Sequence, residues 1–175
     1  MTGYEHLEQD GTVQAEHRLS WLAYVRVVFT FLLMVAISVG IGWWALNEAL
    51  TDRAFQAGIV ASGVVLLSAL ALFIYKVLYL KSIYLYTDAS GVWIHSGILP
   101  WSKGTRGVKW RDIEDAVYYP GFVSWLFRSY TVRIGHRFTK TSEIFVYHLA
   151  QGNKVVEQIN TLHQSNLAME PQGAL

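Results

Sequence analysis

Three histidines, His95, His136 and His148, sit near the ends of expected strands and could converge in a fold. Three neutral imidazoles around an open position are what a catalytic zinc site needs. Nothing in their spacing demands that site, and histidines at strand ends are ordinarily half-exposed surface residues. Asp112, Glu114 and Asp115 cluster at a polar turn. A carboxylate pair can divide general acid and base work, but acids at turns are most often simply solvated. The chain has no cysteine, which removes thiolate metal sites, Cys nucleophiles and disulfides together. It also lacks G-x-S-x-G, a P-loop, G-x-G-x-x-G and H-E-x-x-H, the short motifs that announce hydrolase, nucleotide or zinc chemistry. The expectation is a chain without a catalytic site, a metal or a cofactor.

Charge says more. From Lys76 onward there are 11 Lys and Arg against 7 Asp and Glu, a net +4, whereas the first 26 residues carry a net −2. Lys103, Arg106, Lys109 and Arg111 form one basic segment; Arg128, Arg133, Arg137 and Lys140 form another. A basic surface held against anionic lipid gains ~1 kcal/mol for each charge close to the headgroups. These eight residues are the candidate lipid or interface contacts. The overall net charge of only +1 argues against nucleic acid as a partner.

The segment PGFVSWLF from Pro120 carries Phe122, Trp125, Leu126 and Phe127. Left exposed, such a run would be a liability in a free soluble domain. Three readings are open: the run dips into a bilayer, packs on another copy, or folds as a short buried helix. Phe122, Trp125, Leu126 and Phe127 are thus candidate contacts with a partner or the bilayer.

The elements that would position these residues follow from hydrophobic patterning. Apolar residues make up 53% of the 175 and charged residues 15%, against about 45–50% and about 25% in soluble domains. The excess lies in two uncharged runs, residues 27–47 and 54–75. Each exceeds the ~20 residues that cross a bilayer core, and neither has a polar face. Trp43, Trp44, Trp21, Tyr24, Tyr75 and Tyr79 lie at the run ends, as interfacial aromatics do. Gly40, Gly42, Gly58, Ala61, Ser62 and Gly63 allow close helix approach. The linker EALTDR permits only a tight hairpin, so both chain ends share one side. Arg18, Arg26, Lys76 and Lys81 flank the outer ends, while Arg53 stands alone at the hairpin, which orients both termini to the cytoplasm. About 26 residues, with Glu5, Glu8, Asp10 and Glu16 among them, precede the first run. It therefore reads as an anchor and not as a cleaved signal.

Beyond Lys76 the period changes to that of strands. Strands are expected over 82–87, 92–95, 105–109, 113–119, 130–136 and 143–148, with turn chemistry at 88–91 and a stop at Pro120–Gly121. Val155, Val156, Ile159 and Leu162 recur at helical spacing, giving one amphipathic helix to about His163. The expected organisation is an N-terminal cytoplasmic tail over 1–20, a transmembrane hairpin over 21–80, a β-domain over 81–163 and a flexible tail over 164–175. The fold class is an α+β membrane protein: a two-helix hairpin, then a small antiparallel β-barrel or sandwich with a C-terminal helix.

Two spans leading into "YLYTDASGVWIHSGILPWSKGTRGVKWRDIEDAVYYPGFVSWLFRSYTVRIG" and then "EIFVYHLAQGNKVVEQIN" resemble the bacterial pleckstrin-homology-like (PH-like) membrane proteins. The matching positions are 84–87, 92–97, 108–113, 122–134 and 150–159, and the resemblance covers roughly residues 20–163. It departs at Arg128-Ser129-Tyr130, where members often have Gly. The resemblance implies a PH-like domain and oligomeric rings in the bacterial inner membrane. Eukaryotic relatives of that fold bind phosphoinositides through basic residues in the loop joining the first two strands. Read here as residues 88–91, that loop is short and acidic, so no specific headgroup pocket is expected. The functional expectation is a binding or assembly module whose partners are membrane lipids, further copies of the chain, and another membrane protein as a further candidate. The alternative is a peripheral sensor of anionic lipid.

Overall fold

The computed structural model describes residues 15–48 and 51–169, and it is α+β. Two long apolar helices come first, followed by two antiparallel sheets and a C-terminal helix. The chain divides into two compact units: Ala23–Leu80, and a discontinuous unit formed by the segments up to Leu22 and from Lys81 onward.

In the helical unit, α1 spans Leu22–Glu48 and α2 spans Asp52–Lys81. At 1.5 Å per residue, 27 and 30 residues make helices of about 40 and 45 Å. Both are long and apolar enough to cross a membrane. Thr51 starts α2, its hydroxyl accepting from the Ala54 N–H at 3.3 Å, a cap for donors the helix cannot satisfy itself. The seam between the helices is made of small residues. Ser38, Ala45, Gly58 and Ala69 are buried, and a Cβ at Gly58 would run into the Ala45 methyl. Ser38 and Ser62 donate to each other's backbone carbonyls at 2.9 Å. Phe31 packs on Phe73 at 4.6 Å between ring centroids.

In the second unit, β1 (Ala15–Arg18), β2 (Tyr84–Thr87), β3 (Gly91–Ser96) and β4 (Gly104–Lys109) form one sheet in that order. β5 (Ile113–Tyr119), β6 (Ser129–His136) and β7 (Ile144–Ala150) form the other. The short helix α3 (Phe122–Phe127) joins β5 to β6, and α4 (Gly152–Met169) follows β7. Alternation along the strands sends Leu85, Val92, Val108, Ile113, Val132 and Ile134 inward. Val155, Val156 and Ile159 of α4 complete that core. The turn after β2 is fixed by Asp88, whose carboxylate accepts from the Ser90 N–H, the Ser90 hydroxyl and the Gly91 N–H at 2.6–2.9 Å. Burial alone would raise its pKa, but these hydrogen bonds outweigh it and hold the carboxyl below its usual value.

Three expectations change. Residues 15–18, read as tail, form β1 and pair with β2 from Ala15–Thr87 to Arg18–Tyr84. The first two strands are therefore separated by the whole helical hairpin, and residues 88–91 join the second strand to the third. No barrel is closed. Among the described residues the sheets are joined by the Leu19–Leu149 bridge and the Ser20 N–H to His148 carbonyl bond at 2.7 Å. The Trp110–Asp112 3₁₀ turn separates β4 from β5, so the ladder does not continue around. Finally, α4 runs on to Met169, past the expected end near His163. The rest of the expected tails, residues 1–14 and 170–175, lies outside the described residues.

Candidate membrane and partner surface

The basic candidates divide by what already neutralises them. Arg133 points from the outer face of β6 and lies 3.2 Å from Asp115 and 3.7 Å from Glu143. A hydrogen bond with Tyr119 and these two carboxylates favour its charged form and raise its pKa. Its charge is committed within the sheet. Arg111 sits 3.5 Å from its neighbour Asp112. Lys103, Arg106, Lys109, Arg128, Arg137 and Lys140 are exposed, with no ion pair among the described residues.

β4 presents Arg106 and Lys109 along an edge of its sheet, with Lys103 just before it, where charge also discourages unwanted strand pairing. Arg106 shares a groove of about 460 Å³ with residues 141–145, next to Lys140. The fold thus brings Arg106 to the turn that carries Lys140. Arg128 stands apart from these as the left-handed cap of α3 (φ 49°), its N–H closing back on the last turn of that helix.

The Phe122–Phe127 run is a helix, as one of the three readings has it, but none of its residues is buried. Phe122 is 76% exposed and Trp125 67%, with Leu126 and Phe127 also open. The sequence reading missed their neighbour. Trp21 meets Phe127 edge-to-face at 5.0 Å, and the next residue, Leu22, begins α1. The apolar helix α3 therefore lies beside the point at which the chain enters its first long apolar helix. The only hint in the sequence is an aromatic at each place; the contact spans more than a hundred residues.

A second uncovered surface is the outer face of the second sheet. The register sets Val117 opposite Arg133, Tyr119 opposite Thr131 and Phe145 opposite Arg133. Tyr119, Phe145 and Tyr147 are exposed on that face.

Two of the histidines, His95 and His136, do local work. His95 stacks on Tyr84 and its Nδ1 lies 3.1 Å from the Thr105 hydroxyl. Burial and the nearby Lys103 charge lower its pKa. His136 Nδ1 accepts from the Phe138 and Thr139 N–H groups at 3.2 Å, which fixes the turn after β6. Among the described residues, no three of His, Cys, Asp and Glu are grouped to hold a metal ion. Comparison with family models, with curated proteins and with solved structures finds no match to this chain.

Proposed function

We propose that this chain is a membrane-anchored binding and assembly module that works without catalysis. In this reading the hairpin spans the bacterial inner membrane twice, both termini are cytoplasmic, and the β-domain is PH-like. Four strands packed with three and closed by a C-terminal helix support that fold assignment, beside the sequence resemblance. Three residues separate β1 from α1 and two separate α2 from β2, so both links between the hairpin and the domain are short.

The observation that carries the reading is uncovered apolar surface on a domain whose own core is complete. α3 lies beside Trp21 at the entry to α1, which fits contact with the bilayer interface, where Trp and Phe are favoured. The Tyr119, Phe145 and Tyr147 face is left for protein, because aromatic side chains anchor such interfaces. A second copy and another membrane protein are the partners this face suits. Light scattering on the full chain eluting in mild detergent tests the assembly claim. A protein mass of two or more chains is expected, falling when Phe145 and Tyr147 are replaced by Ser; a mass of one chain at all concentrations contradicts it.

Sensing of anionic lipid is the second reading. It is favoured by six cations without an ion pair among the described residues, on and just before β4, at the α3 cap and at the β6–β7 turn. Co-sedimentation of the full chain in vesicles does not test it, since the anchor holds either way; salt-dependent protection of Lys103, Arg106 and Lys109 in anionic nanodiscs does.

A further inference from the structure

Between α1 and α2, toward the ends away from their connecting turn, lies a cleft of about 530 Å³. That is within the range of about 300–1,000 Å³ typical of ligand pockets. Its walls are apolar, with Phe31 and Met34 from α1 and Leu72 and Phe73 from α2. At the same end it carries two cations, Arg26 and Lys76, and no acid. Both cations are exposed, and neither has an ion pair among the described residues. The Thr30 hydroxyl, also in the lining, is occupied by the Arg26 carbonyl at 2.8 Å.

We propose that this cleft binds one anionic phospholipid, with its phosphate between Arg26 and Lys76 and an acyl chain along Phe31, Met34 and Phe73. The inference rests on the reading that the hairpin spans a bilayer. Charge complementarity selects the occupant. A guanidinium and an ammonium facing one site match a phosphate that bears net negative charge, and basic pockets between spanning helices on the cytoplasmic side recognise such headgroups. A free phosphate would leave the apolar walls unused. A zwitterionic lipid would bring its own cation to two that are already present. The site is distinct from the basic strand β4, because every residue lining it belongs to the two helices.

The test uses the full chain in mild nonionic detergent, titrated with phosphatidylglycerol or with phosphatidylcholine of the same acyl chains. Lipid retained per chain is read by native mass spectrometry. One phosphatidylglycerol is expected per chain, at a concentration about thirtyfold below that needed for phosphatidylcholine, or about fivefold for each charge. Arg26→Gln and Lys76→Gln each reduce the preference about fivefold, and the double variant abolishes it. Lys81→Gln, which removes a cation outside the cleft, leaves the preference intact. Equal retention of the two lipids, an unchanged preference in the double variant, or an equal loss in Lys81→Gln would each overturn the site. Unaltered helicity by circular dichroism checks that the variants fold. Labelling of a cysteine at position 51 in the hairpin turn by a membrane-impermeant maleimide reports on spanning alone, so failure of the anchor reading is distinguished from failure of the lipid site.

Discussion

The helical hairpin and the β-domain bury opposite kinds of residue. In the β-domain Leu85, Ile113, Ile134 and Leu149 are fully buried, and the charged side chains face outward. In the hairpin the buried residues are Ser38, Ala45, Gly58 and Ala69, while Phe29, Trp43, Leu46 and Leu67 are exposed. In the proposed reading, the same chain folds against two solvents. Water drives large apolar groups together in the domain. Lipid offers no such drive, so helices associate through close backbone approach and shared hydrogen bonds. The Ser38–Ser62 exchange and the Gly58–Ala45 contact are what that second regime asks for.

Breaking the contrast should be easiest in the core. Ile134→Ala is expected to cost about 2–5 kcal/mol, the usual range for emptying a buried aliphatic site. Leu67→Ala removes a similar side chain from the outer face of α2 and should change stability by no more than about 0.5 kcal/mol. Denaturant unfolding of the full chain in detergent, followed by near-ultraviolet circular dichroism, measures both. Equal costs would mean that Leu67 is buried against something and that the inversion is false.

The hairpin seam gives the next largest effect. Gly58→Leu forces a side chain into Ala45 and should destabilise the helix pair by about 1–3 kcal/mol, leaving the domain unchanged. Cross-linking yield between cysteines placed at positions 38 and 62 reads helix separation directly, because the chain has no native cysteine. An undiminished yield would show that the seam tolerates bulk and that small residues do not set it.

These differences show why some of the molecule was legible in advance. The two long apolar helices announced themselves because an uncharged run of over 20 residues needs no partner to be read. The strands from Tyr84 to Ala150 alternate, and their turns carry Asp88-Ala-Ser90-Gly91 and Pro120-Gly121. β1 was not legible. Its four residues, AEHR, have little strand propensity and acquire their conformation from β2, more than sixty residues away. The commitment of Arg133 to Asp115 and Glu143 was hidden for the same reason, since it depends on the register of three strands. Residues 164–169 lack an apolar stripe, yet α4 continues there as an extension of a turn already nucleated by packing. The exposed α3 was visible as composition but not as a site, because its meaning comes from Trp21.

The smallest expected effect concerns the β1 graft itself. Burial lowers the pKa of His17 below its ordinary value, only partly offset by the Glu16 charge. The folded domain therefore prefers the neutral ring, and the unfolded chain binds more protons. The contribution is present above about pH 6.5 and is lost as the pH falls below that value. His17→Gln should flatten the fall in unfolding midpoint between pH 6.5 and 5, with His95, shifted in the same direction, retaining a share. A slope identical to that of the unsubstituted chain would place His17 in solvent and detach β1 from the sheet.

The central claim is that one chain crosses the membrane as a hairpin and returns to complete a single sheet on one side. Cysteine accessibility in intact bacterial cells tests it most directly. Thr51→Cys at the hairpin turn and Thr161→Cys on α4 are each treated with a membrane-impermeant maleimide before and after lysis. Labelling of position 51 in intact cells, with position 161 labelled only after lysis, is the predicted result. Labelling of position 161 from outside, or of position 51 only after lysis, would contradict it.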